Sequence, residues 1–155
     1  MGTDQGMTGI RTTRLAARDR QTARALFAMM AETFAEPCEP LGDAYLDRLL
    51  GREDFWAIAA LAGDDVVGGV TAHALAMTTA EASELFIYDI AVRADQQGRG
   101  VGRRLVAALR DAAAAVGIGV VFVAADNEDG HALDFYRALG GRPSPVTVFT
   151  FSGDE

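Results

Sequence analysis

The stretch DIAVRADQQGRGVGRRL, Asp89–Leu105, spaces Gly98, Gly100 and Gly102 two residues apart and sets Arg99, Arg103 and Arg104 among and after them. An apolar strand pattern, ELFIYDIAV (Glu84–Val92), runs into this turn. A helical stripe of Val101, Leu105, Ala108, Leu109, Ala112 and Val116 runs out of it. A strand that passes through glycines into a helix is an anion site. The first amides of the helix lack intrahelical partners, and the helix dipole adds positive charge there. Two familiar phosphate loops do not fit. A Walker loop requires Lys-Ser/Thr after its last glycine, and here Arg103-Arg104-Leu105 follows Gly102. A dinucleotide fingerprint requires Gly-x-Gly-x-x-Gly, which the even spacing of these three glycines breaks.

The pattern on either side predicts the rest of the fold. A short strand over residues 10–16 precedes a helix over about residues 19–35, whose apolar stripe is Ala23, Leu26, Phe27, Met30 and Phe34. Pro37 and Pro40 interrupt it, and Gly42-Asp43 starts a second, short helix. Residues 55–62 and 66–75 read as a β-hairpin turning at Gly63-Asp64-Asp65. Residues 84–92 are apolar on both faces and therefore belong inside the sheet. The helix over about residues 100–116 stops at Gly117, and a buried strand spans 118–125. A helix carrying Ala132, Phe135, Tyr136 and Leu139 ends at Gly140-Gly141, and VTVFTFS (146–152) closes the sheet. The expectation is one α/β domain over residues 1–155 with a mixed sheet, its residues 1–9 loose.

Composition narrows the partners. A net charge of −8 argues against nucleic acid, which needs a concentrated basic face, and suits a cationic ligand. The single cysteine, Cys38, allows no intrachain disulfide. With two histidines far apart in sequence, a zinc site or a Cys/His nucleophile pair is not expected, so no metal is assigned. No apolar run approaches membrane-spanning length and the N-terminus lacks the apolar core of a signal peptide, so no membrane partner and a cytoplasmic location are expected.

Gln97-Gly98-Arg99-Gly100-Val101-Gly102, directly after a strand ending in IAV, matches Gln/Arg-x-x-Gly-x-Gly/Ala and resembles the pyrophosphate loop of the GNAT superfamily of acyl-CoA N-acetyltransferases. ALDFYRALGG (132–141) resembles that superfamily's second signature, a helix with an inward tyrosine before a glycine-ended turn. The resemblance runs from about Ile10 to Phe151 and implies a central, mostly antiparallel sheet flanked by about four helices. SELFIYDIAVRADQQGRGVGRRLV, the VAAD ending at Asp126, and GIRTTRLAARD (9–19) are similar to the GNAT-type aminoglycoside 3-N-acetyltransferases, which acetylate an amine of an antibiotic such as gentamicin. The departures follow Asp126, in NEDGHALDFY and at His131 in particular, near the expected acceptor cleft. Chemistry is therefore better constrained than substrate range.

The resemblance implies acetyl-CoA as cosubstrate, a small cationic amine as acceptor, and direct transfer in a ternary complex. Relatives of this kind commonly dimerise. Backbone amides from Gln97 through Gly98, Arg99, Gly100, Val101 and Gly102 to Arg103 would cradle the pyrophosphate, with Arg99, Arg103 and Arg104 adding charge. A bulge would open the sheet beside this strand, where main-chain groups of Ala91 and Val92 bind pantetheine and the Val92 N–H faces the oxyanion. Asn127 would contact the pantetheine amide. Asp89, an ionisable residue within an otherwise apolar strand, is the expected base, and a structural aspartate accepting loop N–H bonds is the alternative. Asp126 stands at a strand end, where α/β sheets bind ligands, and is the second acceptor contact, with Asp129 as the helix cap. Glu84 and Glu128 would add negative charge around a polycation. Tyr136 would protonate the CoA thiolate, although an ordinary core tyrosine would occupy the same helical position. Three functions remain open at this point. They are an aminoglycoside acetyltransferase, a GNAT enzyme for a polyamine, another small amine or a protein N-terminus, and a non-catalytic acyl-CoA-binding domain.

Overall fold

The structure is a computed structural model and describes residues 9–153; most of the expected loose N-terminal segment, residues 1–8, lies outside the described residues. The chain divides into two compact units, Met1–Ala124 and Ala125–Glu155. The first holds strands β1 (Ile10–Arg14), β2 (Phe55–Ala62), β3 (Asp65–Ala76), β4 (Ser83–Val92) and β5 (Val121–Val123), with helices α1 (Arg20–Thr33), α2 (Asp43–Leu50) and α3 (Val101–Ala115). The strands lie in sequence order; β1 to β4 pair antiparallel and β5 joins β4 in parallel. A parallel neighbour requires a crossover, and α3 supplies it. Among the described residues no helix is long and apolar enough to cross a membrane.

The two faces of the sheet are read most simply on β2, which is buried along nearly its whole length. Its period of two sends Trp56, Ile58 and Ala60 to one side, where Leu105, Leu109 and Ala113 of α3 meet them. Phe55, Ala57 and Ala59 go to the other side, against Ala23, Leu26, Met29 and Met30 of α1. Close approach of α1 depends on Gly69 of β3, because a Cβ there would overlap the side chain of Leu26. Leu26 is itself fully buried, so it has no open space to retreat into.

α1 ends on Ala35, which adopts a left-handed conformation (φ 57°), and the Glu36 N–H closes the turn on the Ala31 carbonyl at 2.9 Å. α2 is tied back to α1 by exposed ion pairs from Arg20 and Arg24 to Asp43 and from Arg20 to Asp47. As expected, Pro37 and Pro40 lie in a helix-free link between the two. The hairpin between β2 and β3 turns at Gly63 and Asp64, with Ala62 opposite Asp65.

The second unit contains α4 (Gly130–Ala138). Asp129 caps it, its side chain accepting the Ala132 N–H at 3.0 Å, and the helix runs out at Gly140 (φ 93°). The expected closing strand over 146–152 is not formed: these residues carry no ladder, and Val146, Val148, Phe149 and Phe151 are exposed. Alternating β-branched and aromatic residues express a preference for strand, but a strand exists only where its backbone groups find a partner edge. The fifth strand is likewise shorter than residues 118–125, pairing only over Val121–Val123.

Candidate functional site

β4 is inside the sheet as expected, yet it has neighbours on both edges only over Leu85–Ile87, where β5 pairs with it. Beyond Ile87 the strand continues beside β3 alone. An extra residue interrupts the register at this point: Ala72 faces Ile87, while Thr71 faces Asp89, so Tyr88 is bulged. The bulge expected from the resemblance is therefore at Tyr88, immediately before Asp89.

The bulge also decides where Asp89 points. Gly69 fronts α1, so Thr71 and His73 share that face by the strand period, and residues opposite them share it too. Asp89 is opposite Thr71, and Ala91 is buried in the α1 cluster. Asp89 is half-buried, with no hydrogen bond from a loop N–H. Burial pushes its carboxyl above the usual carboxylate range, and the negative charge of Glu36 pushes it further the same way. Glu36, which follows the left-handed turn after α1, is a charge acting on Asp89 that sequence reasoning missed. Its proximity to β4 depends on how α1 ends, and no local pattern announces that.

At the far end of β4, the Arg93 N–H bonds to the Val67 carbonyl of β3 at 2.8 Å. Alternation along an antiparallel strand then turns the N–H and C=O of Val92 to the opposite edge, the one β5 has left. Gln97 takes the carbonyl: its side-chain amide donates to the Val92 oxygen at 2.9 Å. Gln97, expected in the pyrophosphate cradle through its backbone, thus also fastens the turn to the strand end. Arg93 braces the same turn through a two-bond pair with Asp95, at 2.7 and 3.2 Å.

The turn then passes Gly98 (φ 78°) and Gly100 (φ 83°), a backbone that residues with a Cβ rarely adopt. Gly100 caps α3, and the first intrahelical bond runs from the Arg104 N–H to its carbonyl at 3.1 Å. The amides of Val101, Gly102 and Arg103 precede that bond and have no intrahelical acceptor. The side chains of Arg99 and Arg103 are exposed beside them, that of Arg104 is half-buried, and that of Val101 is buried in the core. Amides without partners, left-handed glycines and exposed guanidinium groups fit a diphosphate.

Glu84 lies on β4, facing Leu75, whereas Asp126, Asn127, Glu128 and Tyr136 belong to the second unit. Asp126 accepts the Glu128 N–H at 2.8 Å, and Asn127 and Glu128 are exposed. Tyr136 is half-buried on α4, its ring edge-on to Phe135 at 5.1 Å. Burial, and then the charge of Asp129, raise the phenol above its ordinary value, so it keeps its proton to higher pH. Among the described residues no group of three or more His, Cys, Asp or Glu is arranged to hold a metal ion.

The comparisons with known proteins agree with the fold. No curated protein matches the sequence. An aminoglycoside acetyltransferase, meta-AAC0020, from an uncultured soil metagenomic sample superposes with a TM-score of 0.88 at 30% identity, over 93% of this chain and 96% of that one. The same protein in complex with sisomicin gives 0.89 at 29% identity, over the same shares of the two chains. A second aminoglycoside acetyltransferase from such a sample, HMB0005, gives 0.87 at 31% identity, over 93% of this chain and 99% of that one. The family model described as Acetyltransferase (GNAT) family matches residues 21–140, so this chain belongs to the GNAT family of acetyltransferases.

Proposed function

We propose that the protein transfers the acetyl group of acetyl-CoA to an amino group of an aminoglycoside, the 3-amino group by the resemblance described above, directly and within a ternary complex. The observation that carries the reading is Asp89. It is half-buried, raised above the usual carboxylate range, and set between a bulge and a stretch of β4 whose outer edge β5 leaves open. The likeness to two aminoglycoside acetyltransferases at about 30% identity supports the choice of acceptor.

The turn from Gln97 to Arg103 would hold the diphosphate of acetyl-CoA, with Arg99, Arg103 and Arg104 adding charge, and Asn127 would hold the pantetheine amide. Acetyl-CoA supplies the activated acetyl group. At neutral pH the acceptor arrives mostly as an ammonium ion, and Asp89 takes its proton so that the nitrogen lone pair is free to attack. A carboxylate of ordinary acidity would be a weaker base, so the upward shift suits the task. The Val92 N–H donates to the carbonyl oxygen as that oxygen gains charge. Tyr136 gives its proton to the departing thiolate, a role suited to a phenol that burial keeps protonated. Asp126, Glu84, Glu128 and Glu36 contribute negative charge toward a polycationic acceptor.

Asp89→Asn tests the central role. Turnover falls by about 100-fold or more, the usual share of a general base, while the affinity for CoA measured by calorimetry stays near wild type. An Asp89→Asn protein with wild-type turnover removes Asp89 from the mechanism.

A further inference from the structure

The bulge has a second effect. In an unbroken strand Asp89 would share the α3 face with Ile87, opposite to Phe86 and Tyr88. The inserted residue instead brings Asp89 onto the α1 face beside Tyr88, whose ring stands edge-on to His73 at 5.6 Å and to Phe86 at 6.2 Å. His73 in turn meets Phe55 at 5.3 Å, and Phe86 stacks on Phe122 at 5.0 Å. An aromatic row therefore crosses β2, β3, β4 and β5. Tyr88 is its most open member, 63% exposed, and it is the direct neighbour of the proposed base.

Carboxylates flank the open middle of the row on β4. From Thr71 to Val92 there is no lysine or arginine, while Glu84 and Asp89 share the row's face of β4 and Glu36 adds its charge from the end of α1. An exposed aromatic ring with carboxylates beside it suits an occupant that is both cationic and able to lay a flat C–H face on a ring. A flexible polyamine meets the first condition and a rigid aminosugar meets both.

We propose that Tyr88, backed by His73 and Phe86, is a specificity-determining platform for the aminosugar ring of the acceptor, holding it so that one amine reaches Asp89. This rests on the aminoglycoside reading above. Tyr88 positions the acceptor and takes no part in proton transfer, so its loss weakens acceptor binding without slowing the chemistry.

The test compares wild type, Tyr88→Ala and Tyr88→Phe, by thiol release at saturating acetyl-CoA with sisomicin and with spermidine, and by calorimetric binding of sisomicin. Tyr88→Ala raises KM for sisomicin about tenfold and weakens its binding equally, with kcat within about twofold of wild type and KM for acetyl-CoA unchanged. Tyr88→Phe, which keeps the ring, behaves as wild type. Equal KM and equal binding in wild type and Tyr88→Ala overturn the platform, as does a Tyr88→Phe protein as impaired as Tyr88→Ala. Wild type that binds sisomicin without releasing thiol overturns the transfer reading alone, and the platform is then decided by whether Tyr88→Ala binds more weakly. Wild type that does not bind sisomicin at all overturns both.

Discussion

Gln97 reaches back five residues and donates its side-chain amide to the carbonyl of Val92, closing the glycine turn onto the end of β4. The bond leaves Val92 with its N–H as the outward polar group, and it links the amides that would hold the diphosphate to the one that would hold the thioester oxygen. Gln97→Ala should therefore loosen both at once. We expect KM for acetyl-CoA to rise about threefold to tenfold, roughly the worth of one neutral hydrogen bond, with little change in thermal stability because the residue is exposed. Steady-state kinetics with acetyl-CoA varied measures it. Gln97→Glu should be worse, because it sets a carboxylate against a carbonyl oxygen.

The pH dependence follows from Asp89. Its carboxyl is held above the ordinary aspartate range, first by burial and then by Glu36, and only the ionised form can act as a base. The acidic limb of kcat/KM should thus lie above the pH at which an exposed aspartate titrates. Glu36→Gln removes one of the two causes and should move that limb to lower pH, by less at high salt because Glu36 is exposed. The same shift has a consequence for stability. The folded state binds the Asp89 proton more tightly than the unfolded state, so stability falls as pH rises from the ordinary aspartate pKa through the raised one, and is level above it. Asp89→Asn should accordingly melt higher than wild type at neutral pH and lose that advantage below the ordinary aspartate range. Thermal melts at two pH values measure this.

Gly69→Ala tests how α1 is seated behind the site. The added methyl would overlap the buried Leu26 side chain, and overpacking of this kind costs about 1–3 kcal/mol. For a chain of this length that lowers Tm by roughly 3–10 °C. Leu26→Ala alone costs about 2–5 kcal/mol through the cavity it leaves. Because each change answers the other, the double variant should be less destabilised than the sum of the two. Additive losses would show that the two positions do not share this space.

Much of the fold is legible in local pattern. The hairpin shows in Gly63-Asp64 between two apolar runs, and the turn between β4 and α3 in a strand, three spaced glycines and a helical stripe. What the pattern could not carry was pairing. The bulge at Tyr88 is a relation between β3 and β4, and the charge of Glu36 reaches Asp89 from the turn that ends α1 at Ala35. Residues 146–152 have the composition of a strand, yet none forms there among the described residues. Asp89 is conspicuous in the sequence as a carboxylate well inside an apolar run. Tyr88 could not be chosen there, because only the bulge sets Asp89 on the same face beside it.

The central claim is acetyl transfer to an aminoglycoside amine, and thiol release from acetyl-CoA in the presence of sisomicin, with the product identified by NMR, tests it most directly. The account predicts one equivalent of thiol for each singly acetylated sisomicin, with the acetyl group on the 3-amino nitrogen. Thiol release with spermidine and none with sisomicin would contradict it.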